Sequence, residues 1–447
     1  MHIQQIYDEG LAHASYTILI GAEVVVIDPA RNPSAYLQYV EKHNAEIVAV
    51  IETHPHADFV SSHLELHRRT GATIYTSTKT AADYPHIGFD EGTELRVGVY
   101  TFRPLNTPGH SPDSISIVLE NEAGEQQAVF TGDTLFVGDV GRPDLRESAG
   151  NFKSKRRDLA RDMYYSLHDK LANINPAATV YPAHGAGSLC GKGLSDERTS
   201  TIRKELDTNP AFQPETEEAF IEWLLQDQPF VPAYFPYNVD INQRGAPAYG
   251  ESIGAVRRVD AGFVPEKDTM VVDVRDESVF KKGFHAGALN IQLAGKFETW
   301  LGSLVPPRTP FYLVAGNKKQ LDEAVATSAK IGYEAFVKGA FTVFAGQPQE
   351  IIAPLNLDRF KAHTGDYTIV DVRNAGEVEQ EGKKFPNAIN IPLPELRDRA
   401  TEIPEDKPIV VHCAGGYRSA AAASIVRMTQ PKSVGVFDLS EAVKDFS

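Results

Sequence analysis

Cysteine is scarce in this sequence, since the 447 residues contain only Cys190 and Cys413. The two lie far apart along the chain and have different flanking residues. A structural disulfide between them is not expected in a reducing cytosol. Each thiol is therefore considered separately, as a small packed side chain or as a reactive group.

Long apolar runs are also missing. No stretch approaches the roughly 18 apolar residues that a membrane-spanning helix needs. The N-terminal sequence MHIQQIYDEG lacks the basic and apolar regions of a signal peptide. These absences predict a cytoplasmic protein that has no membrane partner.

The chain has no excess of positive charge. Lysine and arginine number 44 against 60 aspartate and glutamate residues, giving a formal net charge of -16. Nucleic acids and anionic membranes repel such a protein at long range, so neither is expected as a partner. The apolar fraction of 42% is ordinary for a globular protein, and the length predicts several domains.

Residues 1–240 alternate short apolar runs with helical segments. The strand-like runs are VVVID, IVAVIE, YTFRPL, ISIVLE, AVFTGD and TVYPAH, and ETEEAFIEWLLQ is helical in character. Residues 229–251 are rich in proline, glycine, asparagine and aromatic side chains without a period, which predicts an ordered connector at a domain boundary. Its aromatic residues are compatible with a homodimer.

The C-terminal half contains an internal repeat. MVVDVRDE at 270–277 matches TIVDVRNA at 368–375, and GALNIQL at 287–293 matches NAINIPL at 387–393. In each copy a strand ending in Asp-Val-Arg is followed by another strand and a helix, the alternation of a doubly wound parallel α/β sheet. We therefore predict two similar domains, at 241–350 and 351–447.

Four loops of the first domain each follow a strand-like run and each carry metal-capable side chains. These side chains are His54, His56 and Asp58 in HPHADF, His110 in PGHSPDS, Asp133 in TGDTLF, and His184 in YPAHGAG. Any one histidine is more often an ordinary polar residue. Together, at strand ends that meet at one sheet edge, they predict a metal site.

These motifs resemble the metallo-β-lactamase superfamily over about residues 1–235, which implies an αββα sandwich. In its binuclear hydrolases, such as glyoxalase II, the first metal would draw on His54, His56, His110 and Asp133, and the second on Asp58, residue 59, Asp133 and His184. Phe59 cannot ligate a metal. A mononuclear centre is therefore expected.

Ligand types alone leave iron and zinc open, because two histidines with a carboxylate suit Fe(II) and a three-histidine site with aspartate suits Zn(II). The sequence resembles the persulfide dioxygenase branch of the superfamily, which implies one Fe(II) per chain, with zinc as the alternative. The resemblance makes His54, His110 and Asp133 the iron ligands. His56, Asp58 and His184 would orient the ligands or the bound persulfide, and ligation by His56 stays open.

Two further segments match this branch. GDVGRPDL, residues 138–145, resembles it and implies that Arg142 and Asp144 lie near the metal and bind substrate, with a salt-bridged turn as the alternative. The resemblance also implies that Cys190, in AHGAGSLCGK, lies close to the iron and holds a persulfide sulfur. A buried thiol that packs the loop is the other interpretation.

The sequence VVHCAGGYRS, residues 410–419, is the second strong motif. An apolar strand leads into Cys413, and a small-residue loop with Gly415 and Gly416 runs to Arg418 at a helix start. Loop N–H groups, the helix N-terminus and Arg418 would stabilise a thiolate and make Cys413 nucleophilic. The motif resembles the rhodanese (sulfurtransferase) family over residues 355–447, with Cys413 and Arg418 catalytic.

The first repeat has lost these two residues. Alignment of the copies places Ala315 opposite Cys413 and Gln320 opposite Arg418. We predict that this copy is a catalytically silent rhodanese-like domain.

The whole chain thus resembles a persulfide dioxygenase–rhodanese fusion. The resemblance implies oxidation of a low-molecular-weight thiol persulfide with O2 to sulfite, followed by transfer of sulfane sulfur to sulfite at Cys413, giving thiosulfate. Two alternatives stay open: a zinc thioesterase of the glyoxalase II kind fused to a sulfurtransferase, and a non-catalytic sulfur carrier or persulfide sensor.

Overall fold

The computed structural model describes residues 1–145, 155–260, 263–343 and 350–446. Its internal contacts divide the chain into two compact units. The first comprises Met1–Ser252 with Ala329–Gly332, and the second comprises Ile253–Ser328 with Tyr333–Ser447. The domain boundaries placed at 240/241 and 350/351 stay predictions.

The first unit contains two six-stranded sheets. One has the order β1-β2-β3-β4-β5-β6, and the other β12-β11-β10-β9-β8-β7. The strands are β1 (His2–Asp8), β2 (His13–Ile20), β3 (Glu23–Ile27), β4 (Glu46–Ile51), β5 (Thr73–Thr76), β6 (Ile87–Gly88), β7 (Leu95–Val97), β8 (Tyr100–Asn106), β9 (Ile115–Glu120), β10 (Gln126–Gly132), β11 (Thr179–Pro182) and β12 (Ser200–Thr201). β3 to β6 are parallel, as are β10 and β11, and all other pairings are antiparallel.

Helices accompany both sheets, and apolar residues of several of them pack on the outer sheet faces. They are α1 (Ser34–His43), α2 (His63–Thr70), α3 (Arg156–Tyr165), α4 (Ile202–Thr208), α5 (Glu217–Leu225), α6 (Phe235–Arg244) and α7 (Tyr249–Ala255), of which α7 extends past Ser252. The inner faces pack on each other through apolar side chains such as Ile18, Val25, Ile117 and Phe130. Strand alternation produces this packing, since inward apolar residues recur at every second position. The predicted αββα sandwich is confirmed.

The strand-like runs of the first domain coincide with β3, β4, β8, β9, β10 and β11, and the helical stretch with α5. The connector at 229–251 is ordered, and most of it is helical. Pro236 stands in the first turn of α6, where a proline costs no hydrogen bond. The proline and aromatic content of this connector is therefore compatible with a helix.

The second unit contains two four-stranded sheets, both fully parallel, with orders β14-β13-β15-β16 and β18-β17-β19-β20. The strands are β13 (Met270–Asp273), β14 (Ala288–Asn290), β15 (Phe311–Ala315), β16 (Val337–Thr342), β17 (Thr368–Asp371), β18 (Ile389–Asn390), β19 (Ile409–His412) and β20 (Val436–Asp438). The helices are α8 (Glu277–Phe280), α9 (Phe297–Leu304), α10 (Lys318–Ala329), α11 (Leu357–Ala362), α12 (Ala375–Glu381), α13 (Leu396–Arg399) and α14 (Tyr417–Thr429). The equal strand order confirms the predicted pair of doubly wound sheets.

The shared Asp-Val-Arg motif makes the same contacts in both copies. Arg275 forms a buried paired hydrogen bond with Asp273, and Arg373 forms one with Asp371. Within the described ranges, no helix has the length and apolar character required to cross a bilayer.

Candidate metal centre and thiol loop

The four metal-capable loops lie at the ends of four strands. Residues 53–58 follow β4, His110 follows β8, Asp133 follows β10, and His184 follows β11. β10 and β11 are parallel neighbours, so their carboxyl ends lie at the same edge of their sheet. All six predicted metal-site side chains are buried, as the convergence of strand ends predicts.

His54, His110 and Asp133 form one group that could hold a metal ion. Asp133 Oδ2 lies 3.7 Å from His54 Nε2 and 3.5 Å from His110 Nε2. Ligand atoms that share one metal at about 2.1 Å lie about 3.0–3.5 Å apart, close to these separations. Both His54 Nε2 and Asp133 Oδ2 are buried, and among the described residues neither has a hydrogen-bond partner. This donor set therefore fits a metal ion.

The orientation of His54 is fixed from behind. Thr53 Oγ1 donates to Asp28 Oδ2 at 2.8 Å and lies 3.1 Å from His54 Nδ1. With its hydroxyl hydrogen committed to Asp28, Thr53 can only accept from His54. The proton is thereby held on Nδ1, which leaves the Nε2 lone pair for a metal.

Two further groups lie beside it, one sharing Asp133 with the first group and the other sharing His184 with the second. His56, Asp133 and His184 form one, and Asp58, His184 and Cys190 form the other. His184 bridges two carboxylates, with Nδ1 2.7 Å from Asp133 Oδ1 and Nε2 2.8 Å from Asp58 Oδ2. His56 Nε2 lies 3.4 Å from Asp28 Oδ1. His184 thus orients Asp133, while ligation by His56 stays a prediction.

Burial and charge act together on the ionisable groups. Burial alone would raise the pKa of Asp133, yet the charge and hydrogen bond of His184, together with His110, hold that pKa well below its ordinary value. Burial and neighbouring His56 lower the pKa of His54 well below its usual range. The site therefore presents a carboxylate and a neutral imidazole, the protonation states that bind metal ions.

Phe59 stands at the sequence position where the resemblance to the binuclear hydrolases implies a ligand of the second metal. Its ring is buried, with its centroid 4.5 Å from that of His56 and 6.5 Å from that of His184. The ring of His13 lies against it at a centroid distance of 3.8 Å. An apolar wall thus replaces the expected fourth loop ligand.

The sequence reasoning missed three residues that shape this site. Asp28 accepts from Thr53 N at 2.7 Å, and its position at the end of the run VVVID was the available signal. His13 begins β2 and gave no motif. Asn242 of α6 donates to the backbone oxygens of His56 and Phe59, both at 2.8 Å, and only the tertiary structure brings it there.

One glycine is required by close packing at the centre. A Cβ at Gly141 would lie 1.9 Å from the backbone oxygen of Asp133 and 2.9 Å from the side chain of His110. Contacts below about 3 Å force a shift of one partner, and the backbone cannot yield easily. The loop from 138 to 145 therefore packs directly on Asp133 and His110.

Arg142 is buried and forms an ion pair with the partly exposed Asp144 through two 2.7 Å hydrogen bonds. Arg142 also donates to the backbone oxygens of Leu189 and Phe230, and its backbone N–H donates to Cys190 O at 2.9 Å. These contacts fix the Cys190 loop at the centre. A role of the pair in substrate binding stays a prediction.

Cys190 is fully buried beside Asp58 and His184. Burial first, and then the carboxylates of Asp58 and Asp133, raise the pKa of its thiol well above the ordinary value. In this environment the protonated thiol is favoured. Whether it holds a persulfide sulfur stays a prediction.

The thiol loop connects β19 to α14. Cys413 is buried at the strand end, and its Sγ accepts a hydrogen bond from Gly416 N–H at 3.1 Å. Gly416 has a φ of +107°, in the region that favours glycine. Gly415 is exposed beside it. A backbone donor at the first turn of a helix is the expected environment for a sulfur anion.

Arg418 is held by a carboxylate. Its two terminal nitrogens donate to Glu377 of α12 at 2.6 and 2.7 Å. Burial alone would raise the pKa of Glu377, but the hydrogen bonds from Arg418 lower it below its ordinary value of 4.5. Arg418 is therefore positioned by an ion pair that the sequence did not indicate.

The corresponding loop of the first repeat lacks these features. Ala315 ends β15 where Cys413 follows β19, and the side chain of Gln320 accepts from Gly316 N at 2.8 Å. The amide thereby fills the loop that a sulfur anion would need. The predicted loss of the cysteine and the arginine is thus accompanied by a glutamine side chain that occupies the loop.

Two family models match the chain. The metallo-β-lactamase superfamily model matches residues 9–184, and the rhodanese-like domain model matches residues 356–446. The fold is similar to the crystal structure of a metallo-β-lactamase from Staphylococcus aureus, with 30% identity and a TM-score of 0.68. That similarity covers 77% of this chain and 99% of the other.

Curated relatives of two kinds match the first unit. The mitochondrial persulfide dioxygenase ETHE1 of Mus musculus is 25% identical over 197 residues, which is 43% of this chain and 72% of the relative. A hydroxyacylglutathione hydrolase of Methylococcus capsulatus is 29% identical over 206 residues, 43% of this chain and 78% of the relative.

Proposed function

We propose a function that starts from two facts: the chain belongs to the metallo-β-lactamase superfamily, and it has a rhodanese-like domain at its C-terminal end. In this proposal the protein oxidises a low-molecular-weight thiol persulfide with O2 to sulfite and then makes thiosulfate. The resemblance to a persulfide dioxygenase–rhodanese fusion is confirmed by the two kinds of match. The chain is thus an enzyme of sulfur metabolism, and the iron, the products and their coupling are our proposal.

The observation that carries the proposal is a buried three-ligand group with an apolar wall. His54, His110 and Asp133 would hold one Fe(II), which when bound supplies the activation of O2. Thr53 keeps the proton of His54 on Nδ1, and His184 orients Asp133. Phe59 keeps water from the side of the site where a hydrolase would bind its second metal.

Sulfur transfer at Cys413 follows from the thiol loop. The Cys413 thiolate attacks the outer sulfur of a persulfide, so that a new S–S bond forms while the old one breaks and the thiol leaves. The sulfur of sulfite then attacks the outer sulfur on Cys413, which releases thiosulfate and regenerates the thiolate. No net oxidation occurs in these two steps. Gly416 N–H and the start of α14 stabilise the sulfur anion in each.

The direct test is O2 uptake by iron-loaded protein given glutathione persulfide or coenzyme A persulfide, with sulfite and thiosulfate assayed afterwards. We expect O2 consumption with both products. His110→Ala should lose bound iron and O2 uptake together, while His43→Ala, at an exposed histidine outside the centre, should keep both. No uptake by protein that contains stoichiometric Fe(II) would refute the oxygenase.

Metal stoichiometry tests the role of Phe59 independently of activity. Wild-type protein should bind one iron per chain. Phe59→His should restore a ligand beside Asp58 and His184 and raise the bound metal towards two per chain. Two metals in the wild-type protein would contradict the mononuclear centre.

A second candidate is a zinc-dependent thioesterase of the glyoxalase II kind fused to a sulfurtransferase. The similarity to hydroxyacylglutathione hydrolase, at an identity comparable to that of persulfide dioxygenase, favours it. Stoichiometric zinc after metal-replete expression, together with hydrolysis of an acylglutathione, would support this candidate. Phe59 weighs against it, because the hydrolytic water is activated between two metals in that branch.

A further inference from the structure

The silent repeat contacts both sides of the thiol loop in the second unit. A cavity of about 580 Å³ beside this loop is lined by Gly415, Gly416 and Tyr417 of the active repeat and by Glu277 and Gln292 of the silent one. The loss of Cys and Arg in the first copy has therefore not removed that copy from the neighbourhood of Cys413.

The first connection between the silent repeat and the thiol loop runs through the turn after β20, which comprises Asp438–Glu441. Lys281 of the silent repeat lies 2.5 Å from Asp438 Oδ2 and 2.7 Å from Glu277 Oε2. Ser440 Oγ donates to Glu277, and Ser440 N–H donates to Asp438 Oδ1 at 2.8 Å. Asp438 is 8% exposed. Ion pairs and hydrogen bonds among Asp438, Lys281 and Glu277 thus connect this turn to the silent repeat.

This turn packs directly against the thiol loop. A Cβ at Gly416 would lie 3.0 Å from Glu441 N and 3.1 Å from Ser440 C, so the loop backbone rests on the turn. Gly416 is the residue whose N–H donates to Cys413 Sγ. A displacement of Ser440 would therefore move the donor that faces the nucleophile.

The second link passes through Tyr417. Its hydroxyl donates to the backbone oxygen of Gln292 at 2.7 Å, and its ring lies close to Gly295, where a Cβ would be 3.2 Å away. The side chain of Gln292 accepts from Glu277 N at 3.1 Å, which connects the two links inside the silent repeat. Tyr417 is the residue between Gly416 and Arg418, so this link fixes the start of α14.

We propose that Lys281, Glu277 and Gln292 of the silent repeat are positioning residues for sulfur transfer at Cys413. They hold the Asp438–Glu441 turn and Tyr417 in place, and through them the Gly416 N–H group. The inference rests on the sulfur-transfer half of the proposed function. It assigns the silent repeat a part in the chemistry of the other copy, although it contributes no reacting group.

The test uses the full iron-loaded chain with Lys281→Met, Lys281→Arg as the conservative rescue, and Lys282→Met as a matched control at the exposed neighbouring lysine. Thiosulfate formation from glutathione persulfide and sulfite gives kcat and KM. We expect Lys281→Met to lower kcat about tenfold with little change in KM, because misplacement of the donor affects the reacting geometry. Lys281→Arg should recover most of the rate, and Lys282→Met should match wild type.

Alkylation of Cys413 by iodoacetamide across a range of pH provides a readout that needs no substrate. Mass spectrometry of the Cys413 peptide separates it from Cys190. The pH profile should move to higher pH in Lys281→Met and stay unchanged in Lys282→Met. A wild-type profile and kcat in Lys281→Met would overturn the proposal. Absence of thiosulfate formation in the wild type, with the alkylation shift present, would refute the proposed reaction and leave the positioning role intact.

Tyr417→Phe tests the second link without removing a charge. It deletes the hydrogen bond to Gln292 and keeps the ring against Gly295. We expect a reduction in kcat of about threefold or more, the size associated with one hydrogen bond. If Lys281→Met proves to be unfolded by its thermal transition, Tyr417→Phe carries the test, and a wild-type kcat in that variant would overturn the proposal.

Discussion

The two repeats of the second unit share a scaffold and differ in the residues that do chemistry. Both have the same four-stranded parallel order and the same buried Asp-Arg pair. Asn290 and Asn390 each donate to the backbone oxygens of the Asp and Arg of their own copy. The loops diverge, since Cys413 stands in one and Ala315 in the other. Fold and reactivity are thus specified by separate sets of residues.

The difference extends beyond the nucleophile. Arg418 is held by Glu377, whereas the residue at the equivalent place in the silent repeat is Val279, which is 48% exposed. Gln320 stands at the position that corresponds to Arg418, and its side chain accepts a hydrogen bond from Gly316 N of its own loop. A reactive loop therefore needs a partner on a neighbouring helix as well as its own cysteine and arginine.

The largest expected effect is that of Cys413→Ser. Because the hydroxyl is a poor nucleophile for sulfane sulfur, thiosulfate formation should fall by about a thousandfold or more. Sulfite production and O2 uptake should continue at the wild-type rate. Loss of both products together would argue against two separate sites, and Ala315→Ser is the matched control in the silent loop.

Removing the buried Asp-Arg pair should lower the free energy of unfolding in either copy of the repeat. Arg275→Leu leaves Asp273 buried and unpaired, at an expected cost of about 3–5 kcal/mol in the free energy of unfolding. Arg373→Leu should cost up to about 1 kcal/mol more, since Arg373 also pairs with Glu381 at 3.0 Å. Urea unfolding followed by circular dichroism measures both. A negligible loss in the silent copy would show that its scaffold is no longer maintained by this pair.

Glu377→Gln should weaken the feature that distinguishes the active copy. The capping box of α12 is retained because glutamine can still accept from Asn374 N–H. Arg418 loses its charged partner, and sulfur transfer should slow about tenfold, as expected for about 1.4 kcal/mol of lost stabilisation.

The pH dependence of stability offers a second measurement on Glu377→Gln. The pKa of Glu377 is lowered on folding, so its contribution to stability is present above its ordinary value of 4.5 and is lost as the pH falls through the lower folded value. That part of the acid-side decrease in the free energy of unfolding should be absent from the variant. An unchanged slope below pH 4.5 would contradict the ion pair.

The smallest expected effect comes from restoring the lost residues. Ala315→Cys with Gln320→Arg, in a Cys413→Ser background, should give no measurable thiosulfate formation, because the new arginine has no carboxylate partner. Adding Val279→Glu should increase the iodoacetamide reactivity of the introduced thiol by a few fold. Full sulfur transfer by the double variant would show that cysteine and arginine alone suffice.

The sequence pattern alone predicts most of the strands and the repeated domains. The six strand-like runs, the internal repeat and the metal-capable loops could be predicted because apolar period and loop composition are local properties. The connector was less predictable. The segment around Pro236 shows no helical period, and α6 forms there because its apolar side, with Phe235 and Val239, is buried.

The sequence by itself determined which side chains are available for chemistry: the metal-capable residues of the first unit, Phe59 in place of a ligand, and one copy of the repeat with Cys413. The tertiary structure alone decided what holds them. Asp28, Asn242, Glu377 and Lys281 act across 25 to more than 150 residues of chain, on His54, the 56–59 loop, Arg418 and the Asp438 turn. Such pairings depend on how strands and helices pack, and no local period encodes them.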